Sequence, residues 1–197
     1  GDVYKRQVDE DGNIIPQNET AWQYLNLSWL WHTDSSFREI PSKGSILHGI
    51  QTTNKGGHTR YANMYAAYEG LSENTRQHID GLWVIHDHDF IIKQSEELSK
   101  KQDKGDYEAL PPVRHPLVQV HPVTGRRSLF LSPHTMVGIE GMSDVTGRDL
   151  LDELIAHTTE PKYVYTHVWT DDDVLMWDNR CTMHSVEPFD NVNIPRV

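Results

Sequence analysis

The sequence predicts a mainly β fold of the jelly-roll type with a few flanking helices, and three observations carry that expectation. Short β-branched and aromatic runs separated by turn residues dominate the C-terminal half. Helical periodicity is confined to a few stretches, which suits helices laid against sheets. The 197 residues contain no internal repeat or low-complexity tract and are enough to bury a core without disulfides or a structural metal. They are read as one domain, 1–197, truncated at both ends, with residues 1–7 lacking any periodicity and open to being extraneous.

Taken in order, residues 8–20 are polar and loop-like. Aromatic and apolar density rises around Trp29-Leu30-Trp31-His32-Thr33-Asp34, as in a buried strand or its end, and Ser45 to Gln51 reads as a second strand. Asn54-Lys55-Gly56-Gly57 punctuates it. Met64, Ala67, Tyr68 and Leu71 recur at helical spacing, which predicts a helix over 61–71, and Ser72 is placed to cap another running to Ile79. The charged stretch 91–105 reads as surface helix or loop. Beyond it, 117–120 and 128–131 flank a Thr124-Gly125 turn, and 163–169, 174–177 and 181–186 read as further strands. One amphipathic helix interrupts them, capped by Ser143 and burying Leu150, Leu151, Leu154 and Ile155.

Composition narrows the function classes. Eighteen basic against 29 acidic side chains leave a net charge of −11, which repels a phosphate backbone and works against generic nucleic-acid binding. The run Asp171-Asp172-Asp173 reads as a solvated turn. No stretch approaches 18 uncharged apolar residues and the mean hydropathy is −0.63, so no membrane-spanning helix is expected. The lone Cys181 cannot form an internal bridge, and a reducing cytoplasm is the expected location.

Twelve histidines are the unusual feature. In His32-Thr33-Asp34, positions two apart on an extended chain project from one face, so an imidazole and a carboxylate can share an ion while Thr33 faces away. With 12 His and 17 Asp, such a pair arises about once by chance on independent placement. His78-Ile79-Asp80 has the same pattern, but on a predicted helix the two side chains diverge. His86-Asp87-His88-Asp89 is the stronger rival, read as an exposed strand end. Two imidazoles and one carboxylate on one face leave coordination positions open, a donor set suited to ferrous iron in oxygen chemistry. His184, on a short strand after Met176-Trp177-Asp178-Asn179-Arg180, is the best candidate for the third ligand, with histidines 48, 58, 115, 121, 134, 157 and 167 competing on spacing alone.

Trp31-His32-Thr33-Asp34-Ser35-Ser36-Phe37, Gly56-Gly57-His58-Thr59 and Trp177-Asp178-Asn179-Arg180, with His184 and Arg196, resemble the iron- and 2-oxoglutarate-dependent dioxygenases of the taurine dioxygenase and 2,4-dichlorophenoxyacetate dioxygenase family. The similarity runs from about residue 20 to the end. It implies a double-stranded β-helix (a clavaminate synthase-like jelly roll), with His32, Asp34 and His184 as catalytic iron ligands. It also implies that Thr59 and Arg196 hold the distal carboxylate of 2-oxoglutarate and that Trp177 lies near the metal. The implied cofactors are Fe(II), 2-oxoglutarate as cosubstrate and O2. The implied reaction hydroxylates a small anionic molecule, an aryloxyalkanoate-like carboxylate or an alkylsulfonate such as taurine, and releases succinate and CO2. Members often self-associate, although no motif here marks an interface. A second arginine usual a few residues beyond the Arg196 position has no counterpart in the 197 residues. Two other classes compete: a cupin-like metal enzyme that does not use 2-oxoglutarate, and a non-catalytic jelly-roll binding module with structural histidines.

Overall fold

The computed structural model describes residues 14–16, 27–53, 55–90 and 110–194. Among the described residues, ten strands and three α-helices follow in order: β1 (Gly44–His48), β2 (Thr59–Asn63), α1 (Met64–Glu69), α2 (Glu73–Ile79), β3 (Trp83–His86), β4 (Val113–Pro116), β5 (Val118–Val120), β6 (Arg127–Leu129), β7 (Met136–Ile139), α3 (Asp144–Thr158), β8 (Val164–His167), β9 (Val174–Asp178) and β10 (Thr182–Val186). The fold is mainly β with few helices, as the sequence predicts. The pairs these strands form are all antiparallel, in four small sheets among the described residues, ordered β1-β9, β10-β2-β8, β4-β3-β7 and β5-β6.

Local chemistry explains most boundaries. Ser72 and Ser143 extend before α2 and α3, and each side chain accepts a backbone N–H, from Thr75 and Thr146, that the first helical turn would otherwise leave unpaired. β5 and β6 close on a turn in which Gly125 has φ 69°, a conformation that costs a glycine nothing. The core joins Met64, Ala67 and Tyr68 of α1, Leu151 and Leu154 of α3, and Val84, Leu117, Leu129, Leu131, Met136, Ile139 and Met183 from the strands and their ends. Leu150 and Ile155 are only partly buried at its margin. Among the described residues no helix is long and apolar enough to cross a membrane.

Three expectations need correction. The predicted helix over 61–71 begins only at Met64, because Tyr61 to Asn63 complete the central strand β2 and the Asn63 side chain caps α1 by accepting from Ala66 N–H. The buried Tyr61 and Ala62 mimic helical spacing, yet their backbone is taken by β8 and β10. The segment 29–34 is not a strand; it contributes a single bridge, His32 to His184. His86 is fully buried rather than exposed, because β3 lies between β4 and β7. The reading of the Asp171 to Asp173 turn holds for Asp171 and Asp172, which are exposed, while Asp173 accepts from Thr170 N–H and faces His167. The expectations for 1–7, for 91–105 and for most of 8–20 lie outside the described residues.

The buried His86 makes a testable contribution to acid sensitivity. Its Nδ1 lies 2.8 Å from Thr135 Oγ1, its ring sits 5.4 Å from that of His115, and burial, with His115 adding to it, pushes its pKa from 6.5 down to about 3. Above pH 6.5 the imidazole is neutral in both states and costs nothing. As pH falls below 6.5 the unfolded chain takes up a proton that the folded chain refuses until about pH 3, so stability falls by up to about 1.4 kcal/mol per pH unit. Urea titrations of His86→Gln are expected to show one proton less in the pH dependence between 6 and 4; an unchanged slope would show that His86 is not the group responsible.

Candidate metal centre

The site forms where the 29–34 segment meets β10. His32 N–H donates to the His184 carbonyl and His184 N–H donates to the His32 carbonyl, each at 2.8 Å, and this bridge brings the two rings to 4.1 Å. Thr33 faces the opposite way, as alternation requires. Its hydroxyl donates to the Leu131 carbonyl (2.8 Å) and its N–H to Ser132 Oγ (3.2 Å). Asp34 therefore returns to the His32 side, with Oδ1 3.7 Å from His32 Nε2 and 3.7 Å from His184 Nε2. Ser35 then turns the chain away at φ 58°, a left-handed conformation that costs a residue with a Cβ on the order of 1 kcal/mol.

One ligand atom from each of His32, Asp34 and His184 falls within 4.8 Å of the others, and among the described residues this is the one group with that geometry. The donor chemistry suits a metal ion. His32 Nδ1 lies 2.8 Å from the Leu30 carbonyl oxygen, which can only accept, so Nδ1 carries the proton and Nε2 presents its lone pair toward Asp34 and His184. His32 and His184 are buried, whereas Asp34 is partly exposed and leaves the group open on one side. The rival 86–89 cluster does not converge: His86 points to Thr135, and His88 Nδ1 meets the Asp89 carboxylate at 2.8 Å. His78 is exposed on α2, and Asp80, the residue that ends that helix, accepts from Arg127 Nη1 at 3.0 Å.

The remaining predicted residues are placed by the sheet. His184 and Tyr61 are register partners in the β10-β2 pair, and Thr59 lies two residues along β2 opposite Val186, so Thr59, Tyr61 and His184 share one sheet face. Gly56 and Gly57, at φ 75° and 70°, bend the chain into that strand; a Cβ on Gly57 would meet Thr53 Cγ2 at 3.1 Å and Phe189 Cδ1 at 3.3 Å. Thr59 is buried, and its Oγ1 accepts from the Trp169 indole N–H at 2.9 Å. The Trp177 ring lies 4.8 Å from His184 and 5.2 Å from Tyr61, walling the histidine from one side. Arg196 lies outside the described residues.

Sequence reasoning missed the part that four residues play around this group: Ser45, Trp169, Tyr61 and Asn179, the last of which it placed only in the 177–180 motif. The Ser45 hydroxyl donates to Asp34 Oδ2 at 2.5 Å, and Asn179 Nδ2 donates to Ser45 Oγ at 2.9 Å. The periodicity of Ser45 and Tyr61 identified a strand or helix face but not its partner, and nothing local to Asn179 or Trp169 points to Asp34 or Thr59. Asp178, next to the site, is held below the usual carboxylate range first by the Arg180 guanidinium, with His121 contributing.

Comparison with known proteins extends the geometry. Residues 2–196 match the family model described as "Taurine catabolism dioxygenase TauD, TfdA family". Over 187 residues the chain is 40% identical to an alpha-ketoglutarate-dependent 2,4-dichlorophenoxyacetate dioxygenase of Burkholderia sp. (strain RASC), covering 93% of this chain and 61% of that relative. It is 35% identical over 159 residues to an alpha-ketoglutarate-dependent sulfate ester dioxygenase of Pseudomonas putida, covering 78% of this chain and 52% of that protein. The crystal structure of AAD-2 in complex with Mn(II) and N-oxalylglycine superposes with a TM-score of 0.84 at 36% identity, over 98% of this chain and 68% of that one. The chain thus spans about three-fifths of the length of the first of these relatives.

Proposed function

Because the chain belongs to the TauD, TfdA family of taurine catabolism dioxygenases, we propose that it is an Fe(II)- and 2-oxoglutarate-dependent dioxygenase that hydroxylates a small anionic organic substrate. The observation that carries this reading is the convergence of His32 Nε2, Asp34 Oδ1 and His184 Nε2, two imidazoles and a carboxylate gathered on one side of a shared site. An aryloxyalkanoate-like carboxylate is the substrate class favoured, in keeping with the 40% identical relative; an alkylsulfonate such as taurine is the next. The strands would form one jelly-roll domain of the double-stranded β-helix type, in keeping with the TM-score of 0.84. The lone Cys181 suits a reducing cytoplasm.

In this reading His32, Asp34 and His184 hold the iron, and Thr59 with Arg196 holds the distal carboxylate of 2-oxoglutarate. Iron and 2-oxoglutarate supply the oxidising chemistry with O2, in which decarboxylation to succinate and CO2 is coupled to hydroxylation. The protein's own part is orientation and exclusion of water. The Leu30 carbonyl fixes the tautomer and plane of His32. The indole N–H of Trp169 can only donate, so Thr59 Oγ1 accepts it and keeps its own hydroxyl proton to donate, the role a carboxylate requires. Arg196 would add a planar, permanently charged donor. Trp177 and Tyr61 shield His184 from bulk water.

Anaerobic titration of the chain with ferrous iron and then 2-oxoglutarate tests the reading. A visible iron-to-keto-acid charge-transfer band is expected, and Thr59→Val or Arg196→Ala should raise the 2-oxoglutarate needed for half the band by about tenfold or more, the scale of a lost charge-assisted hydrogen bond. Iron binding without a band would favour a cupin-like enzyme that does not use 2-oxoglutarate. A folded chain that binds neither would favour a binding module.

A further inference from the structure

We propose that Ser45, oriented by Asn179 and Trp177, is a positioning residue that holds Asp34 as a one-oxygen ligand; this role rests on the metal-centre reading above. Three hydrogen bonds run in series behind the carboxylate. Trp177 Nε1–H donates to Asn179 Oδ1 (2.9 Å), Asn179 Nδ2–H donates to Ser45 Oγ (2.9 Å), and the Ser45 hydroxyl donates to Asp34 Oδ2 (2.5 Å).

The direction of this series is fixed from its far end. An indole N–H has no acceptor capacity, so the oxygen of the Asn179 amide must face Trp177 and its NH2 must face Ser45. Ser45 Oγ, already accepting from that amide, has one proton, and the short contact to a carboxylate oxygen is where that proton goes. Asn179 is 1% exposed, so water does not compete for the amide and a reversed orientation would strand buried donors and acceptors. The Asn179 backbone is tied as well, its N–H donating to the Lys43 carbonyl at 3.0 Å.

The consequence lies at Asp34. Oδ2 is committed to Ser45 while Oδ1 faces both His32 Nε2 and His184 Nε2 at 3.7 Å. A carboxylate with both oxygens at liberty can chelate an ion through two atoms and consume a position that a keto acid needs. With Oδ2 bound, the protein offers three donor atoms instead of four. The arrangement needs the β1-β9 pairing, because Ser45 and Trp177 are register partners in that ladder and neither is near Asp34 without it.

The test compares Ser45→Ala, Ser45→Thr and Asn179→Asp with the parent chain in anaerobic ferrous iron titrations and in the visible absorption of the Co(II)-loaded proteins, with thermal midpoints recorded metal-free. Ser45→Ala is expected to weaken iron binding about 10- to 100-fold, the range for residues that orient metal ligands. Its Co(II) spectrum should change and its 2-oxoglutarate band should weaken. Ser45→Thr, which keeps the hydroxyl on a strand, should restore affinity and spectrum. Asn179→Asp puts an acceptor where the amide donated, drawing the Ser45 proton off Asp34, and should reproduce the Ser45→Ala defect even if that variant folds poorly. If the parent binds iron and gives the band, and both Ser45→Ala and Asn179→Asp match it in affinity and Co(II) spectrum, the positioning role is overturned and the metal-centre reading stands. If the parent itself binds no iron, the metal-centre reading falls and the positioning role falls with it.

Discussion

Replacing His184 by alanine is expected to abolish ferrous iron binding at micromolar protein and reduce coupled turnover of 2-oxoglutarate to background. His184 presents Nε2 to the same Asp34 oxygen that faces His32, so its removal leaves one imidazole and one carboxylate. Residues that merely orient metal ligands change affinity about 10- to 100-fold, and loss of a ligand should exceed that range. His32→Ala and Asp34→Ala are expected to behave alike, with Asp34→Ala also leaving the Ser45 hydroxyl without its acceptor. His88→Ala is the control, since His88 pairs with Asp89 away from the group. Isothermal titration with Fe(II) under nitrogen and succinate formation read the result. Full activity in any of the three ligand variants would remove that residue from the metal set, and loss in His88→Ala would return the 86–89 cluster to consideration.

Leu151→Ala should produce a large stability loss, well beyond that of its neighbour Leu150. Leu151 has no exposed surface and packs α3 into the core shared with α1 and β7. Truncating a buried leucine costs about 2–5 kcal/mol, because lost transfer energy is compounded by a cavity that the surroundings fill only partly. For a chain of this size that lowers the thermal midpoint by roughly 4–20 °C. Leu150→Ala, at the edge of the same helix, should cost distinctly less. Equal losses in the two variants, measured by urea or thermal unfolding, would mean that α3 does not dock on the face described.

The local parts of the fold were legible because their signals are local. Ser72 and Ser143 cap helices through bonds to residues three positions on, and the Thr124-Gly125 turn, the β8, β9 and β10 runs and the α3 apolar face are each encoded within a few residues. The helix expected over 61–71 shows the limit. Tyr61 and Ala62 are buried by β8 and β10, strands more than a hundred positions away, and no window centred on residue 61 contains that information. His86 is the same case in reverse: charged neighbours suggested exposure, but β4 and β7 flank it on both sides.

By itself the sequence determined most of the element types, the acidic character that disfavours nucleic acid, and the pairing of His32 with Asp34 across a residue facing the other way. Spacing and side-chain chemistry suffice for each of these. Tertiary structure decided which distant histidine joins them, through the backbone bridge that seats His184 beside His32; the His134 ring also lies 5.4 Å from that of His32, but among the described residues only His184 brings a ligand atom into the group. It also decided that Ser45, Asn179 and Trp177 stand in line behind Asp34. The physical reason is that side-chain facing repeats with the local backbone period, whereas strand partnership is set by burial and hydrogen bonding between segments far apart in the chain.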